Sequence, residues 1–293
     1  MNLFLTVLEI VTPVFLLGAI GFTWVKMGFE YRVEFVTRLA MTLAVPCLIF
    51  TSLMRTEIDP AALATLSLAA LAAYGSVSLV SYFMLKISNL DNRTYLAPVI
   101  FGNTGNLGLP LALFAFGDVG LGYAVVVFAI MAVLSFTFGV WLVSGGGSPM
   151  KALKEPIVAS TLLGALFMWM GWETPKPLTN TLELIGQMAI PIMLLTLGVA
   201  VARLHPRQMG RAVWLSLAKV VICVGAATGI GLWMALPAIP FAVLVMQVST
   251  PVAVTSYMLA EKYGADSDAV AGLVVVSTVL AVITIPLTLA FLL

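Results

Sequence analysis

Runs of about 20 apolar residues, the length a helix needs to cross a bilayer core, follow one another along the whole chain. They lie at roughly 5–25, 37–54, 61–85, 94–116, 121–143, 156–172, 182–202, 212–236, 238–260 and 269–292, joined by short connections. In hydrocarbon every backbone N–H and C=O must find a partner inside the protein, so such runs become helices. The expectation is an all-α polytopic membrane protein with ten transmembrane helices. Of 293 residues, 61% are hydrophobic and 9% charged, which excludes an ordinary soluble domain. A net charge of +1 without any basic run offers no surface for nucleic acid. Cys47 and Cys223 sit inside apolar runs and read as small hydrophobes. The first run lacks a basic flank and a small-residue cleavage site, so it reads as a retained span.

Charge orients these spans. Lys26, Arg32, Arg38, Lys86, Arg93, Lys151, Lys154, Arg203, Arg207, Arg211 and Lys262 follow odd-numbered spans, against only Arg55 and Lys176 on the other side. The positive-inside rule places the basic side in the cytoplasm and both termini outside it. The longest polar linker, 144–155, falls near the middle and separates a first five-span repeat (1–143) from a second (156–293). An odd number of spans per half inverts one half relative to the other. Glu9 and Leu16-Leu17-Gly18-Ala19 recur as Glu155 and Leu162-Leu163-Gly164-Ala165. Pro46 and Pro191, and Gly117 and Gly264, recur at nearly the same offset. Inverted repeats of this kind are a transporter signature.

Polar chemistry is concentrated in two of the runs. The fourth is interrupted by Gly102-Asn103-Thr104-Gly105-Asn106-Leu107-Gly108-Leu109-Pro110. Each glycine weakens a helix by about 1 kcal/mol relative to alanine. Pro110 is expected to free the Asn106 carbonyl and to bias Leu109 away from helical dihedrals. The ninth run carries Gln247-Val248-Ser249-Thr250-Pro251, where Pro251 is expected to free the Gln247 carbonyl. Two broken helices running in opposite directions are expected to cross and to point half-helix N-termini at the midplane. Orphan N–H groups and the dipole there suit an anion, while freed carbonyls suit Na⁺.

Candidate roles follow from this. Asn103, Thr104 and Asn106 are expected to hydrogen-bond a carboxylate, with Ser249 and Thr250 as the counterpart half. Gly102, Gly105, Gly108, Pro110 and Pro251 make the helix breaks. Lys219, about two turns into the eighth span, either serves the site or snorkels to the interface. With Gln247 it is a candidate support or ion-site residue. Glu9 is the one acid near a span interior, so a proton relay of buried carboxylates is poorly served. His205, between basic loop residues, has no partners for a metal site, and no nucleophile–base pair suggests an enzyme.

The Asn103–Pro110 stretch resembles the fourth-helix motif of the auxin efflux carrier family, which includes plant PIN proteins and bacterial malate or malonate permeases. Ala260-Glu261-Lys262-Tyr263-Gly264, Ile285-Pro286-Leu287-Thr288 and Val45-Pro46-Cys47-Leu48 are similar to that family's ninth, tenth and second helices. The resemblance implies a ten-helix inverted-repeat fold like that of bile-acid symporters, with broken helices 4 and 9 crossing at the site. It implies a dimeric scaffold of spans 1, 2, 6 and 7, against which spans 3–5 and 8–10 move as an elevator. Asn103 corresponds to the family's substrate-contacting asparagine, and Pro110 and Pro251 to its crossing prolines. The short 144–155 linker departs from plant PIN proteins and matches bacterial members. The expected protein is a homodimeric secondary transporter of a small organic anion, a mono- or dicarboxylate, in a bacterial inner membrane. It works by alternating access, needs no cofactor, and leaves Na⁺ or proton coupling open. A passive anion channel and a ligand-sensing receptor are the competing readings. The first needs a continuous polar stripe, the second an output domain.

Overall fold

The structure, a computed structural model, describes residues 3–55, 59–145, 156–204 and 209–292. Residues 146–155 of the expected linker, and His205, lie outside the described residues. The elements among the described residues are helices: α1 (Leu3–Lys26), α2 (Val33–Leu39), α3 (Val45–Met54), α4 (Pro60–Ile87), α5 (Asn92–Ile100), α6 (Leu109–Leu134) and α7 (Val140–Ser144). Then come α8 (Pro156–Met170), α9 (Lys176–Gln187), α10 (Ala189–Arg203), α11 (Met209–Trp233), α12 (Ala238–Val248), α13 (Val254–Tyr263) and α14 (Ser267–Leu292). Single π-helical turns at Ala40–Ala44, Thr104–Gly108 and Ser135–Gly139 join consecutive helices.

The expected count of ten helices in two inverted five-helix repeats, with elevator-type division, is corrected by these elements. Among the described residues seven helices are long and apolar enough to cross a membrane: Leu5–Lys26, Val33–Met54, Ala61–Ile87, Thr104–Ser144, Lys176–Arg203, Met209–Trp233 and Ser267–Leu292. The sixth and ninth runs supply the shorter apolar helices Ala159–Met170 and Ala238–Val248. The reason is that an apolar run need not be one continuous helix. The fourth and ninth runs are each cut into separate helices, and the second part of the fourth continues into the fifth. That long stretch turns at Gly117, whose φ of 63° and ψ of −157° are open to glycine and costly for other residues. An all-α polytopic membrane protein is what stands.

Packing explains how the short helices are held. α1 lies along α10, and α3 lies against α8 and α9. α11 packs on α4, α12 and α14, and α12 packs on α6. Where α1 meets α10 the backbones touch, since a Cβ on Gly198 would stand 1.8 Å from the Gly18 carbonyl oxygen. Small residues permit this close approach without a hydrophobic driving force. The start of α5 is fixed by Asp91, which accepts the N–H groups of Arg93 at 3.2 Å and Thr94 at 3.0 Å. Arg93 then ties this end to two neighbours, donating to the Val143 carbonyl at 2.7 Å and to the Tyr263 carbonyl.

Candidate solute site at two chain breaks

α5 ends at Ile100, and Phe101 turns to extended dihedrals (φ −91°, ψ 120°). α12 ends at Val248, and the chain stays open until α13 begins at Val254. The two open segments pair as a single antiparallel bridge between Gly102 and Val252, with the Asn103 N–H donating to the Pro251 carbonyl at 2.7 Å. Gly102 is required by this approach. A Cβ there would lie 2.2 Å from Thr250 Oγ1 and 2.8 Å from the Thr250 carbonyl oxygen. Gly108 is hemmed in the same way by the Gln247 side chain, 1.9 Å from Oε1.

The break lies before the motif's proline. Residues Thr104–Gly108 form a π turn in which Leu109 donates its N–H to the Thr104 carbonyl, and Leu109 is helical (φ −61°, ψ −49°). Pro110 therefore sits in the first turn of α6, where a missing N–H costs little. The Asn103 carbonyl accepts from Leu107 at 3.1 Å and Gly108 at 3.2 Å, closing the turn on itself. Pro251, by contrast, lies within its break.

Polar side chains around the crossing divide into two groups. Asn103 is 5% exposed, and its Nδ2 has no hydrogen-bond partner; Thr104 Oγ1 is fully buried and also without one. A buried polar group left so costs stability unless something else serves it. In the second group the hydroxyls are satisfied, while Gln247 Oε1 is buried without a partner. Ser249 Oγ donates to the Met246 carbonyl at 3.2 Å, and Thr250 Oγ1 to the Gln247 carbonyl at 2.8 Å. Gln247 reaches the Ala124 carbonyl at 3.4 Å with Nε2. The N–H of Val252 donates to Ser277 Oγ on α14 at 3.0 Å.

A cavity of about 590 Å³ opens beside this crossing. Gly102, Asn103, Gly105 and Asn106 line it from the first break, and Ala253, Val254 and Thr255 from the second. Its walls are apolar at Phe128, Met131 and Met258, and it reaches as far as Lys262 in the last turn of α13. α13 begins without a side-chain cap at Ala253, and Val254 and Thr255 of its first turn line the cavity. A second cavity of about 500 Å³ lies elsewhere, lined by Arg55, Asp118 and Glu183, and the crossing residues do not border it. Arg55 and Glu183 form an ion pair there at 2.6 Å.

Among the residues expected at the site, Asn103 and Asn106 share the cavity, whereas Thr104, Ser249, Thr250, Gln247 and Lys219 do not border it. Thr255 and Ser135 border it, although neither was singled out. Ser277 was missed as well. The available signal was the orphan N–H that any break before Val252 must create, which calls for an acceptor from a neighbouring helix. Among the described residues no group of three or more His, Cys, Asp or Glu could hold a metal ion.

Chain breaks that meet inside a helical membrane domain, beside a cavity with an unpaired amide, are a feature of solute carriers. The family model described as membrane transport protein matches residues 6–152 and 141–289, so the chain belongs to this family of transporters of the auxin efflux carrier type. Its function is transport and not catalysis. The chain is 27% identical over 292 residues to an uncharacterized transporter of Methanothermobacter thermautotrophicus, covering 95% of this chain and 96% of that one. It is 24% identical over 266 residues to a putative malonate transporter of Rhizobium meliloti, covering 83% of this chain and 82% of that protein.

Proposed function

We propose that this chain carries a small organic anion, a mono- or dicarboxylate, across the membrane by alternating access. The observation that carries the reading is the Asn103 side chain, which is nine-tenths buried, has an unpartnered Nδ2 and borders the cavity. Nδ2–H is a donor, and a carboxylate oxygen is the acceptor it lacks. The uncapped start of α13 adds N–H groups and the positive end of a helix dipole at the same cavity. Asn106 borders the same space and completes a cluster suited to one carboxylate. The cavity reaches Lys262, on the basic side that the charge asymmetry assigns to the cytoplasm. Glu261 lines that same end, and a cavity reached from there supports a site that opens toward the basic side. A relative described as a putative malonate transporter makes malonate the first probe.

The test is a thermal-shift and uptake screen of small carboxylates, beginning with malonate, repeated with and without Na⁺ and across pH. A ligand that binds the folded state raises its melting temperature by mass action. The expected result is stabilisation by at least one carboxylate, with saturable uptake and counterflow in proteoliposomes. Uptake without counterflow identifies a channel, and a screen in which no carboxylate registers ends the anion reading.

A further inference from the structure

Lys219 lies near the middle of α11 and is 1% exposed, so its ammonium does not reach an interface. Among the described residues the ion pairs are Arg32–Glu30 and Arg55–Glu183, and neither involves it. A lysine held at depth without a carboxylate is expensive, and its partner identifies its role. Nζ donates to the Val99 carbonyl of α5 at 2.8 Å, with Cys223 Sγ at 4.0 Å as its other neighbour.

The choice of that carbonyl is informative. In a continuous helix, the Val99 carbonyl accepts the N–H of the residue four positions on, which is Asn103. Here that N–H is given to Pro251 instead, at 2.7 Å. Lys219 takes up the acceptor that the crossing itself releases. It does so in the last turn of α5, where the helix dipole favours a positive charge. Two residues beyond the helix end the chain reaches Gly102, and then Asn103 at the cavity.

We infer that Lys219 is a positioning residue for the solute site. Its ammonium caps α5 where the chain leaves the helix and holds Asn103 in register with Pro251. It also places a positive charge at the end of α5 that leads to the cavity, and this favours anions over cations there. The inference rests on reading the cavity as an anion site, and its test is built to fail separately from that reading.

A reporter that needs no substrate comes first. In a Cys47→Ala background, Asn106→Cys places one reactive thiol at the cavity, while Cys223 remains fully buried. Its rates of reaction with an anionic and a cationic methanethiosulfonate reagent report the local potential. Lys219→Met is expected to lower the anionic-to-cationic rate ratio about threefold or more, and Lys219→Arg to keep it within about twofold. Malonate uptake, measured with Asn106 restored, is expected to show KM raised about tenfold in Lys219→Met with a smaller change in maximal rate, and rescue in Lys219→Arg. If Lys219→Met does not fold, Lys219→Gln keeps a donor without the charge and is expected to show the same fall in ratio. An unchanged ratio in whichever variant folds overturns the inference. A ratio that shifts while the unmodified protein takes up no carboxylate supports the role of Lys219 and overturns only the solute assignment.

Discussion

The two chain breaks pair with each other, yet they spend their polar groups in opposite ways. At the second, Ser249 and Thr250 turn their hydroxyls back onto carbonyls of their own helix, and Ser277 serves the exposed N–H of Val252. At the first, Asn103 Nδ2 and Thr104 Oγ1 are buried with no partner, and Asn103 faces a cavity. The hydroxyls of one break close on nearby carbonyls and leave only the Gln247 Oε1 acceptor unpaired, whereas the other break keeps a donor in reserve at the cavity. A polar residue beside a helix break in a membrane can serve either the backbone or a passing solute. Only the side-chain direction separates the two uses.

Substitutions can break this contrast. The largest effect belongs to Gly102→Ala, because its Cβ would meet both a β-branched side chain and a backbone oxygen of Thr250. Overpacking at such a contact costs about 1–3 kcal/mol or more, and the expected outcome is loss of the folded monodisperse peak in detergent chromatography together with loss of uptake. Asn103→Ala comes next and acts on transport alone. Uptake in proteoliposomes is expected to fall about a hundredfold, the weight of a charge-assisted hydrogen bond with loss of solute positioning. Its melting temperature stays near that of the parent, since the amide nitrogen has no protein partner to lose. Normal uptake by this variant removes Asn103 from the site.

Ser277→Ala should show the reverse pattern. Leaving the Val252 N–H buried without an acceptor costs about 1–3 kcal/mol, read as a lower melting temperature with solute affinity within about twofold. Ser249→Ala is the smallest change. Its hydroxyl bonds the Met246 carbonyl at the end of α12 and does not border the cavity, so stability is expected to move by about 1 kcal/mol and uptake by less than about twofold. If Ser249→Ala proved as damaging to uptake as Asn103→Ala, the asymmetry between the breaks would be wrong.

The presence of both breaks was legible, because Gly102, Gly105, Gly108, Pro110 and Pro251 are poor helix formers inside apolar runs. The position of the first was not. A π turn lets Leu109 bond five residues back to Thr104, so Pro110 enters α6 without forfeiting a needed hydrogen bond, and the chain opens earlier at Phe101. The span count was overstated for a related reason. Hydropathy measures how apolar a run is and says nothing of where the helix stops, as the short α12 and the continuous Thr104–Ser144 stretch make plain. Asn103 stands out by its residue type, a polar side chain inside an apolar run. The inward turn of Ser249 and Thr250 does not, because a hydroxyl in a helix can bond its own backbone as readily as a ligand. Lys219 was visible as an oddity, but its partner depended on which carbonyl the crossing released.

The antiparallel bridge between Gly102 and Val252 also constrains how the protein is made. The partner of the Asn103 N–H lies on Pro251, in a part of the chain that emerges from the ribosome only after most of the helices have been synthesised. Until then the end of α5 holds a donor with nowhere to go in lipid. The first break must wait near water, at the membrane surface or within the insertion machinery, until the second arrives. Helix insertion and completion of the solute site are therefore separate events in time, and a chain truncated before Pro251 can reach the membrane without ever acquiring the site.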